Sequence, residues 1–75
     1  MSKYAIELLN KAGCKRFDEG SYTNLKVCRQ NAKEYTKLGW NVNIWEELSD
    51  DCSLAEMEYV ESYRAYTTKR ITDQL

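Results

Sequence analysis

The sequence predicts an α+β domain in which a small three-stranded antiparallel sheet carries two helices, in the order β-β-α-β-α. Three observations lead there. An apolar line at helical spacing runs through residues 24–38. An alternating stretch of β-branched and aromatic residues follows directly at 40–46. A run of strong helix formers without Gly or Pro extends from about Ser53 to Thr72.

In the first of these, Leu25, Cys28, Ala32 and Tyr35 fall at i, i+3, i+7 and i+10, one face of a helix. Asn24 or Thr23 supplies the N-cap oxygen, and Gly39 suits the left-handed position past the last turn. In the second, Trp40, Val42 and Ile44 alternate with Asn41, Asn43 and Trp45, the pattern of a half-buried strand. In the third, Ser53 and Glu56 match a capping box, with Asp50 and Asp51 ahead of it and Lys69 and Arg70 near the far end, as the helix dipole favours. Met57, Val60, Thr67 and Ile71 would form one line on this helix, and Tyr59, Tyr63 and Tyr66 a neighbouring one.

The N-terminal third admits two readings. Ala5, Leu8, Leu9 and Ala12 with Gly13 fit a short helix, which would make the chain mostly α. Tyr4, Ile6 and Leu8 fit a strand that turns near Asn10–Gly13 and returns from Cys14 to Phe17. The strand at 40–46 needs a neighbour for its backbone groups, so the hairpin is preferred.

Composition bounds the rest. Seventy-five residues form one domain with one core and little room for a deep cavity. Three cysteines at wide spacing and no histidine give neither a zinc set nor an even disulfide framework, so reduced thiols in a cytoplasm are expected, with Cys28 as a core hydrophobe. No secretion signal and no membrane-length apolar run stands out. The missing histidine removes the usual general base, and no nucleophile or phosphate-loop motif is present, so neither catalysis nor a cofactor or metal is expected.

Charge is unevenly placed. Residues 1–39 carry eight basic against four acidic side chains, and residues 40–75 three against eight. Lys26, Arg29, Lys33 and Lys37 line one face of the first helix and could track phosphates. The acidic cluster, with Asp50, Asp51 and Glu58 among its members, could face a basic protein groove. Trp45, beside two asparagines on the face away from the core, is a candidate contact anchor, as is the Tyr59, Tyr63 and Tyr66 line.

The expected function is therefore a small non-enzymatic protein-interaction module, an inhibitor or adaptor of the kind phages and mobile elements carry. It would present Trp45, Tyr59, Tyr63, Tyr66, Asp50, Asp51 and Glu58 to a protein partner. The alternative is nucleic-acid binding through Lys26, Arg29, Lys33 and Lys37, less favoured in a net acidic chain. Small size, surplus aromatics and oppositely charged halves also suggest a homodimer.

Overall fold

A computed structural model describes residues 3–18, 20, 22–48 and 57–75. Five strands and one helix follow in chain order: β1 (Lys3–Leu9), β2 (Lys15–Phe17), α1 (Leu25–Lys37), β3 (Asn41–Glu47), β4 (Met57–Tyr63) and β5 (Arg70–Ile71). The strands form one antiparallel sheet in the order β2-β1-β3-β4-β5.

This overturns the expected architecture. Among the described residues the sheet has five strands rather than three and no second helix stands: the Met57–Ile71 portion of that predicted helix holds β4 and β5. The mostly helical alternative falls as well, because residues 3–9 are extended and pair with β2 and β3. The capping box at Ser53–Glu56 lies outside the described residues. The physical reason is β3. Its backbone groups point alternately to both flanks, so it needs a neighbour on each side, and β1 supplies only one. The β-formers Tyr59, Val60 and Tyr63 supply the other.

Helix α1 stands where the apolar spacing puts it. Asn24 adopts an extended cap conformation, and its Oδ1 accepts from the Lys26 backbone N–H at 2.8 Å. At the far end Gly39 takes φ +96°, and its N–H donates to the Thr36 carbonyl. That carbonyl also accepts from the Tyr66 N–H at 2.8 Å, tying the β4–β5 turn to the end of the helix.

The core lies between α1 and one face of the sheet. Ile6 and Leu8 of β1, Val42 and Ile44 of β3, and Tyr63 of β4 meet Cys28 and Ala32 of the helix. Trp40 packs at its margin with the Arg16 guanidinium 5.3 Å from its ring.

Burial pushes the Cys28 thiol up to about 12, and the Glu61 carboxylate adds to the effect. Tyr63 is likewise pushed up to about 12, by burial first and then by its hydrogen bond to Glu61. Both groups keep their protons in the folded chain at a pH where the unfolded chain loses them. Stability is therefore full below about pH 9 and falls as pH rises toward 12. Denaturant titrations from pH 8 to 11 should show this decline, and a flat profile would contradict it. In the native protein at pH 8, iodoacetamide should label exposed Cys14 while sparing Cys28, as peptide mass mapping would show.

Candidate functional site

The β3 register divides its side chains between two faces. Val42 and Ile44 point to the helix, while Asn41, Asn43 and Trp45 point the other way. β4 carries an extra residue at this level: Ile44 pairs with Glu61, but Trp45 pairs with Tyr59, leaving Val60 as a bulge. In a regular strand Tyr59 and Tyr63 would share a face. The bulge separates them. Tyr63 enters the core, with 2% exposed, and Tyr59 stands beside Trp45 on the opposite face.

On that second face a polar network is assembled from three strands. Glu7, 6% exposed, accepts from Asn43 Nδ2 at 2.8 Å and from the Trp45 indole Nε1 at 3.2 Å. Asn43, fully buried, accepts at Oδ1 from Ser62 Oγ at 2.6 Å. Ser62 is also 2.6 Å from the Tyr59 hydroxyl. The Trp45 and Tyr59 rings meet edge to face, centroids 5.7 Å apart at 76°, and both remain half-buried. After β5 the chain leaves the sheet edge and crosses this face. The Leu75 N–H donates to Asn43 Oδ1 at 3.0 Å, and the Leu75 carbonyl accepts from Asn43 Nδ2 at 3.1 Å.

The same end of the sheet is acidic. Glu46 and Glu58 sit directly opposite each other, and Glu47 follows on the tryptophan side, across from Lys3. A like-charge pair in this position disfavours the fold. Asp50 and Asp51 lie outside the described residues. Tyr66, at φ +63° and 71% exposed, is held at the β4–β5 turn, its hydroxyl close over Gly39.

The basic face of α1 is less uniform than its spacing suggests. Arg29 turns to the sheet and forms a two-point ion pair with Glu61, Nη2 to Oε1 at 2.8 Å and Nε to Oε2 at 3.1 Å. The Tyr63 hydroxyl completes the carboxylate's partners at 2.8 Å. Burial alone pushes the Glu61 carboxyl up, but the hydrogen bonds from Arg29 and Tyr63 outweigh it and hold it below the usual carboxylate range. Lys37 is paired with Glu34 at 3.0 Å, whereas Lys26 is exposed and Lys33 half-buried.

Trp45, Tyr59 and Glu58 therefore gather at one end of the sheet, while Tyr63 and Tyr66 lie elsewhere. Sequence reasoning passed over Glu7 and Ser62. The signal for Glu7 was present, since a carboxylate alternating with Ala5 and Leu9 must share their side of a strand. Among the described residues no helix is long and apolar enough to cross a membrane. Comparison of the chain with protein-family models, with curated proteins and with solved structures finds no match.

Proposed function

We propose that this chain is a non-enzymatic protein-interaction module that binds a protein with a basic surface through the Trp45–Tyr59 end of its sheet. The observation that carries this reading is the gathering of Glu46, Glu47 and Glu58 at that end. Glu46 and Glu58 face each other across β3 and β4, next along the strands to the half-buried Trp45–Tyr59 pair and on the opposite face of the sheet from its rings. Such a pair works against folding, by up to about 1 kcal/mol, and a cationic partner would turn that cost into binding energy. Aromatic rings flanked by charge are the composition of contact centres.

The helix offers a weaker case for nucleic acid. Its Arg29 is engaged with Glu61, and Lys37 with Glu34, so the stripe presents fewer free cations than its spacing implies.

Glu58→Lys separates binding from folding. It replaces a repulsive cross-strand pair by an attractive one at an exposed position. The variant should unfold at higher urea, by about 0.5 kcal/mol, and should lose most of the partner that wild-type bait retains from host lysate at low salt. Retention of the same partner at equal yield by both baits would end the proposal.

A further inference from the structure

We propose that the turn between β4 and β5 binds single-stranded nucleic acid, with the Tyr66 ring as a stacking platform for a base and Arg64, Lys69 and Arg70 as contacts for its phosphates. This is a second surface, at the other end of the sheet from Trp45 and Tyr59, and it stands independently of the protein-binding reading above.

The charge of this turn is the reverse of its surroundings. Residues 64–70 read Arg-Ala-Tyr-Thr-Thr-Lys-Arg, three cations and no acid, and these are all the bases of an otherwise acidic half. All three are exposed, and none pairs with a carboxylate among the described residues. Arg70 lies within electrostatic reach of Glu61, but that carboxylate is held by Arg29. The glutamates at the other end are remote. Glu47 pairs with Met57 where β4 starts, and Val42 with Tyr63 where the turn begins. Five residues of β3 separate those levels, roughly 16 Å. That exceeds the screening length of about 10 Å at moderate salt, so the acidic end leaves the turn basic.

Tyr66 is held where folding does not favour it. It is the third residue of a turn closed by the Thr67 N–H on the Arg64 carbonyl, and its φ is +63°. Gly or Asn suits that position, and a bulky side chain there is strained. The ring gains little burial in return, since Tyr66 is 71% exposed. It is nevertheless fixed. The Tyr66 N–H donates to the Thr36 carbonyl at 2.8 Å, and the hydroxyl stands so close over Gly39 that a Cβ there would come within 2.6 Å of it. An exposed aromatic face set in place among cations is what an unstacked base requires, and a duplex does not offer one.

Beside the ring lies a cavity of about 250 Å³ lined by Thr36, Lys37, Tyr66, Thr67 and Thr68. It is smaller than the ~300–1,000 Å³ that enclose drug-sized ligands. It suits one phosphate of a strand that otherwise lies across the surface, with the exposed Thr67 and Thr68 hydroxyls and the Lys37 ammonium as its contacts. The Lys37 pair with Glu34 is solvent-exposed and of little worth, so the ammonium exchanges readily to a phosphate.

The test uses the full chain and fluorescence anisotropy of a labelled thymidine decanucleotide and a labelled uridine decanucleotide. Both should bind, since stacking and phosphate contacts do not read the sugar. Raising salt fourfold from about 50 mM should weaken binding about twentyfold, for three phosphates neutralised. Tyr66→Asn should weaken it about tenfold while the urea midpoint holds or rises, because Asn tolerates the positive φ. Tyr66→Phe keeps the ring and should keep the affinity. Lys69→Gln should lower the salt slope by about 0.7, whereas Lys26→Gln, at the far end of α1, should leave it unchanged. Failure of the wild type to bind either strand overturns the proposal. So does full affinity in a folded Tyr66→Asn variant, or a loss in Lys26→Gln equal to that in Lys69→Gln. Equal binding of a polyglutamate peptide, indifferent to Tyr66→Asn, would make the surface a contact for acidic protein and overturn it as well.

Discussion

Arg29→Ala will lower the unfolding free energy by about 2–3 kcal/mol at neutral pH. A 75-residue domain holds on the order of 4–11 kcal/mol in all, so this is a large share. The loss comes less from the missing attraction than from what remains. Glu61 is 3% exposed at its side chain and would be left with the Tyr63 hydroxyl as its one strong donor. The figure sits below that for a fully enclosed pair because the Arg29 side chain is 35% exposed and water can enter where it stood.

The pH dependence has a definite sign. In the wild type the Glu61 carboxyl is held below its ordinary value, so its stabilising contribution is present above about pH 4.3 and fades in acid. In the variant burial prevails and raises the carboxyl. Stability is then full in acid and lost as pH rises. Urea unfolding at pH 4 and pH 7 should therefore show the gap between the two proteins narrowing at the lower pH. A constant gap would refute the assignment. Replacing both partners by methionine should recover most of the loss, since no buried charge is then left alone.

Asn43→Asp, a change of one atom in shape, will cost about 3 kcal/mol or more at pH 7. The new carboxylate can still accept from Ser62 and Leu75, but it cannot donate to Glu7, whose oxygen lies 2.8 Å away. Two acceptors of like charge then share a site that is closed to water. Acid should repair the variant, because one proton between the carboxylates restores a donor. Thermal unfolding at pH 4 and pH 7 would show the variant gaining on the wild type in acid. Equal deficits at both values would mean that the network contributes packing alone.

These two sites differ in how far the sequence announces them. Leu25, Cys28 and Ala32 declare a helix, and the alternation from Trp40 to Trp45 declares a strand with two dissimilar faces. Arg29 looks like a member of a solvent-facing stripe, because its partner Glu61 sits in a segment with no clear periodicity. That segment, Met57 to Tyr63, hides its strand for three physical reasons. Val60 is an inserted residue that breaks the two-residue period. Glu61 faces the helix side although charged, and Ser62 is buried although polar. A buried ion pair and a buried hydroxyl invert the binary pattern on which strand recognition depends. The helix-forming composition of the segment points the other way. The better signal was bookkeeping of backbone bonds, for the demand that gave β3 its first neighbour also requires a second.

The two longest ladders in the sheet are unlike in one respect. β3 joins β4 through a single connection, whereas β1 joins β3 only after β2 and the whole of α1 have been traversed. The β1–β3 seam is thus the most distant strand pairing along the chain among the described residues. Each flanking hairpin can form early from nearby residues, but neither encloses the core until this closure occurs. Loop entropy must be met before Ile6 reaches Ile44. The rate of acquiring the native state is then set by that one encounter, on the millisecond-to-second scale of sheet-dominated domains. Substitutions in β1 should slow refolding, whereas those in β5 should chiefly hasten unfolding.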